Sequence, residues 1–193
     1  NVVSLYRKNV AGTGTDERLS TPNRMQRPYC VSPDNRYLFY LQRKEKDGDD
    51  DIYALPLQGD RTPIPVVTNA FDNDAPAVSP DGRWIAYGSN ETGVFQIYVV
   101  PFPPTGARWQ ISSEQDGAGA VHWNPKGKEL FYMTRGTLMS VPIESRGQVL
   151  VPGTPKELFQ APPDVLHPGE GARVLEPLIG RNSVILLDEA PHL

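Results

Sequence analysis

Closely spaced carboxylates are the first groups in this sequence that could do chemistry. Asp72 and Asp74 flank Asn73, and such a pair serves general acid–base work when its surroundings drive the two pKa values apart. Asp47-Gly48-Asp49-Asp50-Asp51 gathers carboxylates in one short stretch, as a hard cation such as calcium requires. An EF-hand is excluded, because the residue eleven after Asp47 is Gln58 and not Glu; the run reads as a solvated hairpin. His122, His167 and His192 lie 45 and 25 residues apart, with no His-Glu-x-x-His or Cys-x-x-Cys, so no metal centre is expected. His122, beside Trp123, reads as a partly buried structural or channel-lining group. No Gly-x-Ser-x-Gly elbow occurs, which removes the usual nucleophile of an α/β hydrolase. Gly12-Thr13-Gly14 lacks a third glycine and a following lysine and reads as a loop. Cys30, alone in the chain and set in Tyr29-Cys30-Val31, reads as a small buried hydrophobe. The sequence therefore predicts no catalytic residue and no cofactor.

The elements that position these groups follow from composition. Proline (20) and glycine (17) make up 37 of 193 residues, about 19 %, against roughly 12 % on average. Only residues 1–11 and 34–47 run more than ten residues without either, while a mean helix needs about eleven or twelve. Short strands and frequent turns fit. A formal charge of −4 without a basic cluster argues against nucleic-acid or anionic-membrane binding, and no apolar run of about 18 residues could span a bilayer. The chain opens Asn-Val-Val, without an initiator Met or a signal-type cleavage site, and is expected to be an excerpt of a longer protein.

The main signal is a repeat. Ser32-Pro33-Asp34-Asn35-Arg36-Tyr37-Leu38-Phe39-Tyr40 returns as Ser79-Pro80-Asp81-Gly82-Arg83-Trp84-Ile85-Ala86-Tyr87, then as Asn124-Pro125-Lys126-Gly127-Lys128-Glu129-Leu130-Phe131-Tyr132, at spacings of 47 and 45 residues. Ile52-Tyr53-Ala54-Leu55-Pro56, Ile97-Tyr98-Val99-Val100-Pro101 and Leu138-Met139-Ser140-Val141-Pro142 follow in phase, and Leu5-Tyr6-Arg7-Lys8 anticipates them. A shorter third element (18–21, 66–68, 109–112) precedes each turn. Each unit parses into four short strands, the blade of an all-β propeller of antiparallel sheets. In the turn, Pro presets φ, Asp accepts backbone N–H groups, and Gly82 or Asn35 takes a positive φ. Pro56, Pro101 and Pro142 are expected at strand ends, where a missing N–H is harmless. Trp84 and Trp123 fall on regular strand positions and read as packing between blades, not as a stacking platform.

Counting blades gives a partial blade over 1–27, full blades over 28–69, 75–113 and 119–160, and a degenerate half-blade over 161–193 built on a worn turn at Leu175–Arg181 and a strand at Val184–Leu187. These make about four blade-equivalents, expected to belong to a larger ring. An open arc would expose two blade faces and self-associate. Loops between blades and loops joining second to third strands share one face, where binding groups gather. Arg24, Arg27, Phe71, Asp72, Asp74, Glu114 and Asp116 should surround that channel mouth, joined by Arg43, Asn90 and Glu91. Mixed charge with an aromatic suits a protein, a peptide or a polar small ligand.

The unit Ser79 to Tyr87 with Ile97-Tyr98 resembles the WD-repeat-like unit of TolB-type propellers over roughly residues 3–160. The run Ile97 to Pro103, Trp109-Gln110-Ile111-Ser112, Trp123 and Glu129 to Tyr132 is similar to propellers attached C-terminally to bacterial transmembrane Ser/Thr kinases. That resemblance implies an extracytoplasmic, non-catalytic sensor or interaction module. Two other functions compete with it: the gating propeller of a prolyl-oligopeptidase-type peptidase whose catalytic domain is elsewhere, and an enzyme using the mouth carboxylates.

Overall fold

The computed structural model describes residues 4–8, 11, 14–20, 24–45, 48–113, 115 and 117–161, with the backbone of 173–174 and 186–187. β1 (Tyr6–Arg7) pairs with β2 (Glu17–Arg18). A four-stranded antiparallel sheet follows, of β3 (Gln26–Val31), β4 (Tyr37–Arg43), β5 (Asp50–Pro56) and β6 (Ile64–Val67), in sequence order. The next holds β7 (Asn73–Val78), β8 (Trp84–Ser89), β9 (Gln96–Pro101) and β10 (Trp109–Gln110). The third holds β11 (Gly119–Trp123), β12 (Glu129–Thr134), β13 (Thr137–Arg146), β14 (Val149–Pro152) and β15 (Lys156–Gln160). β16 (Arg173–Val174) pairs with β17 (Leu186–Leu187), which overlaps the final expected strand; the worn turn at 175–181 lies outside the described residues. The inner strands β3, β7 and β11 lie side by side in succession.

The repeated turn sets the register of each inner strand against its neighbour. In the first sheet the Ser32 hydroxyl donates to Asp34 Oδ1 at 2.6 Å and accepts the Tyr37 N–H at 2.9 Å, while Asp34 Oδ1 also accepts the Arg36 N–H at 3.1 Å. Ser79, Asp81, Arg83 and Trp84 repeat this, with 2.6 Å for the hydroxyl–carboxylate bond. Lys126 occupies the aspartate position of the third turn, and there the Asn124 side chain takes over, accepting the Lys126 N–H at 3.0 Å. Asn35, Gly82 and Gly127 have φ of 57°, 72° and 68°, the left-handed geometry the turn demands.

Period-2 alternation then gives the first two full sheets a packed layer on each face. Phe39, Leu41, Ile52 and Ala54 of the first sheet pack on Ile85, Tyr87, Tyr98 and Val100 of the second. The opposite face of the second sheet, with Trp84, Ala86, Ile97 and Val99, packs on Leu130, Tyr132, Val141 and Ile143 of the third. Leu38, Tyr40 and Leu55 cover Leu5 and Leu19. Trp123 wedges between the second and third sheets and donates its indole N–H to Ala77 O at 3.0 Å, so it is core, as is Trp84.

The third sheet departs from the expected four strands. β13 runs ten residues, pairing with β15 along Thr137–Ser140 and with β14 along Ile143–Arg146. Pro142 consequently sits inside a strand, where β13 exchanges one partner for the other, and not at an end like Pro56 and Pro101. The missing N–H falls on the outer side of the strand, where the Pro142 carbonyl still accepts the Gly153 N–H at 2.7 Å.

Gly82→Val should cost about 1–2 kcal/mol in urea unfolding, because a β-branched residue resists the left-handed region; the added Cβ itself would meet only Pro33 Cδ at 3.8 Å. Asn35→Gly should change stability by no more than about 0.5 kcal/mol. The Ser32, Arg36 and backbone bonds hold the Asp34 carboxyl at a pKa of about 2, and Asp81, whose burial acts the other way, is likewise lowered on balance by Ser79 and Arg83. A lowered folded-state pKa gives stability that is full above the unfolded value near 4 and is lost as the pH falls towards 2. Replacing Asp34 by Asn should flatten the stability–pH curve in that window, read by chemical denaturation at each pH.

Candidate functional site

A one-residue bulge recurs at the same place in all three inner strands. Pairing with the second strand slips between Pro28 and Cys30, between Asp74 and Ala77, and between Gly119 and His122. Ala75 and Ala120 adopt φ of 50° and 49° there. A bulge bends its strand and redirects the extra side chain. In β3 that residue is Tyr29, whose hydroxyl reaches across to Asp74 Oδ1 of the next inner strand at 2.6 Å.

Asp50, 6 % exposed at its side chain, is the hub of the mouth between the first two sheets. Arg27 bonds its Oδ2 and the Arg43 Nε bonds its Oδ1 at 3.0 Å. Both guanidinium groups remain about half exposed, so solvent screens the pair on one side. The Asp50 N–H donates to Asp72 Oδ1 at 2.8 Å, and its carbonyl accepts the Asn73 side-chain amide at 3.2 Å. Asp72 and Asn90 exchange bonds: the Asp72 N–H to Asn90 Oδ1 at 3.0 Å and the Asn90 N–H to Asp72 O at 3.2 Å. Wholly buried Asn73 also bonds Asn69 and the Phe71 carbonyl, each at 3.0 Å, while Lys44 caps that carbonyl from outside.

This network sets the electrostatics. Burial raises the Asp72 pKa, and the charges of Asp49, Asp50 and Asp74 reinforce it against the Asp50 N–H bond. Burial works to lower Arg27, but Asp50, Tyr29 and Asp74 more than offset it. Asp74 has no cation within salt-bridge distance among the described residues, because Asp50 takes both nearby arginines. The mouth thus presents an acidic pair beside the exposed rings of Tyr29 and Phe71, each 40 % accessible.

Of the sequence candidates, Arg27, Arg43, Phe71, Asp72, Asp74 and Asn90 are joined by these contacts. Arg24 sits at the rim, paired with Glu45. Glu91 turns away from this cluster to pair with Arg108. Asp116 and Glu114 lie outside the described residues. The acidic run is not simply a solvated hairpin, since Asp50 is buried and Asp51, half-buried, meets Lys44 at 3.4 Å; Asp47 lies outside the described residues. Sequence reasoning missed Asp50, Tyr29 and Asn73. Asn73 does have a signal, because Gln26 stands six residues before its turn just as Asn73 does, and both are buried. Cys30 is half-buried, its thiol pushed up to about 11 by burial and donating to Pro76 O at 3.3 Å. His122 is half-buried, with its pKa lowered by burial. Among the described residues no group of three or more His, Cys, Asp or Glu side chains could hold a metal ion.

Successive antiparallel sheets packed face to face with their first strands innermost define a β-propeller, present here as an arc of blades. The fold is TolB-like. Putative TolB from Agrobacterium tumefaciens superposes with a TM-score of 0.60 at 23 % identity, covering 77 % of this chain and 54 % of that one. TolB from Acinetobacter baumannii gives 0.57 at 19 % identity, over 82 % of this chain and 39 % of its own. A puromycin-hydrolysing peptidase of Mycobacterium tuberculosis gives 0.62 at 19 % identity, over 82 % of this chain and 27 % of its own. No protein-family model matches the chain. An uncharacterised protein of Agrobacterium fabrum is 30 % identical over 123 residues, 63 % of this chain and 40 % of that protein. The chain spans well under two thirds of the length of each of these relatives.

Replacing Asp50 by Ala should destabilise the protein by about 1–3 kcal/mol, the range for charged hydrogen bonds whose arginine partners stay partly solvated. Arg43→Gln should cost less, because Arg27 still neutralises the buried carboxylate. Urea unfolding of the two variants checks the order.

Proposed function

We propose that the chain is part of a non-catalytic β-propeller that binds a protein or peptide segment at its channel mouth, within an extracytoplasmic sensor of the kind attached to bacterial transmembrane Ser/Thr kinases. The observation that carries the binding role is the mouth itself: Asp72 and Asp74 without a direct cation, flanked by the exposed rings of Tyr29 and Phe71, on a scaffold held rigid by Asp50. Rigid strands presenting exposed polar and aromatic groups from their connecting loops suit recognition. The kinase association and the extracytoplasmic location rest on the sequence resemblance of Ile97 to Tyr132. Blades over 28–69, 75–113 and 119–160, with half-blades outside them, would form an arc of a larger ring, prone to self-association where its end faces are open.

A gating propeller of a prolyl-oligopeptidase-type enzyme is the second reading, favoured by the likeness in fold to the puromycin-hydrolysing peptidase, of which the matched part is 27 %. The flanking coding sequence separates the two. A kinase region followed by one apolar span of about 20 residues is expected; a hydrolase region with Gly-x-Ser-x-Gly would overturn the sensor reading. Linear peptides selected on the purified chain should also lose binding when Phe71→Ala and Asp74→Asn are combined, measured by fluorescence anisotropy. Turnover of peptide, ester or glycoside substrates by the purified chain would overturn the non-catalytic assignment.

A further inference from the structure

On the outer perimeter, the first and second full sheets part to leave a groove of about 370 Å³, within the roughly 300–1,000 Å³ of small-molecule sites. It exists because β10 is short. β10 pairs only with Tyr98 and Val99, so Val100 and Pro101 have no outer strand, and the segment 104–108 stands off as one wall. Val66 and Val67 of β6 face it across the gap. Valine and proline supply five of the twelve lining residues, with Thr68, Asn69 and Thr105 among the others.

Two further donors sit between these walls. Tyr87 is wholly buried and lines the groove; Arg108 stands beside its hydroxyl as a donor, and no acceptor meets the hydroxyl proton. Leaving a buried hydroxyl unpaired costs about 1–3 kcal/mol, a penalty that an acceptor in the groove would remove. Arg108 also lines the groove, its guanidinium carbon 4.9 Å from the centre of the Tyr98 ring and one nitrogen on Glu91. Burial raises the Tyr87 pKa to about 12 even though Arg108 acts to lower it, so at neutral pH the hydroxyl keeps its proton and is available to donate.

We propose that this groove binds a small molecule carrying a carboxylate on a short apolar body, the carboxylate accepting from Tyr87 and Arg108 and the body lying against Val66, Val100, Pro101 and Pro104. Asn69 lines the groove and also bonds Asn73 of the mouth network, but the contacts proposed here use neither residue and do not depend on the reading given for the mouth. A free organic acid and the C-terminus of a peptide share this chemistry.

The test titrates the purified chain with sodium hexanoate, hexan-1-ol, hexylamine and N-acetyl-leucine, read by saturation-transfer difference NMR. Hexanoate should bind saturably, hexanol about tenfold more weakly and hexylamine more weakly still. Tyr87→Phe keeps the ring between the sheets and should weaken hexanoate about tenfold. Arg108→Gln should remove the preference for hexanoate over hexanol, and this second variant carries the test if Tyr87→Phe does not fold by circular dichroism. Glu144→Gln, on the β13–β14 hairpin, should leave hexanoate binding as in the parent chain. Binding of N-acetyl-leucine as tight as hexanoate would point to a peptide C-terminus, and hexanoate alone to a free acid. Equal binding of hexanoate and hexanol, hexanoate binding unchanged in both Tyr87→Phe and Arg108→Gln, or no saturable binding would overturn the proposal. None of these outcomes bears on peptide binding at the mouth.

Discussion

In the first two full sheets a serine hydroxyl and an aspartate carboxylate close around the backbone of the same turn, Ser32 with Asp34 and Ser79 with Asp81. These bonds fix where β4 and β8 begin relative to β3 and β7. A one-residue slip there would exchange every inward and outward side chain of the strand. No such slip could be absorbed in the second sheet, because both its faces are packed: Ile85 and Tyr87 belong to one layer, Trp84 and Ala86 to the other. The register in turn decides which residues of the inner strand reach the mouth. Arg27 and Asp74 stand five residues before their turns, Gln26 and Asn73 six.

At the mouth the same constraint meets electrostatics. Asp50 begins β5 opposite Arg43 at the end of β4, so strand pairing already holds the two side chains at one level of the sheet. Arg27 comes from β3 to the second oxygen, so one carboxylate ties three strands of one sheet together. Its backbone then reaches Asp72 and Asn73 of the next. The consequence lies next door: with both arginines committed, Asp72 and Asp74 form no ion pair among the described residues, and burial together with the charges of Asp49, Asp50 and Asp74 raises Asp72. Stability at one residue thus leaves its neighbours held by neutral donors, the Asp50 N–H on Asp72 and the Tyr29 hydroxyl on Asp74.

Much of this was legible in the sequence because its causes are local. The turn residues, the positive φ at Asn35 and Gly82, and the alternation that sends Phe39 and Leu38 to opposite layers need only short stretches of chain. Six mouth residues, among them Arg27, Asp72 and Asn90, could be gathered because the repeat places their loops on one face. The burial of Asp50 could not be read, since inside Asp47–Asp51 nothing local distinguishes one aspartate from its neighbours; the choice is made by Arg27, more than twenty residues away. The continuation of β13 past Pro142 was hidden for a similar reason. A proline looks like a strand end until a second hairpin, β14, supplies a partner beyond it.

The third blade separates scaffold from chemistry. Its inner strand carries the same bulge, with Ala120 in the conformation of Ala75. An alanine with positive φ is disfavoured by roughly 1–2 kcal/mol, and the geometry recurs in two of the three inner strands, the first carrying Pro28 at that position. Yet Gly119 stands where Asp74 does and Ala118 where Asn73 does, and the local contacts there are backbone ones, with the Ala118 N–H on Phe95 O at 2.7 Å. The first two blades place Tyr29 and Asp74 at that same bulge, and among the described residues the ionic network around Asp50 gathers at their junction.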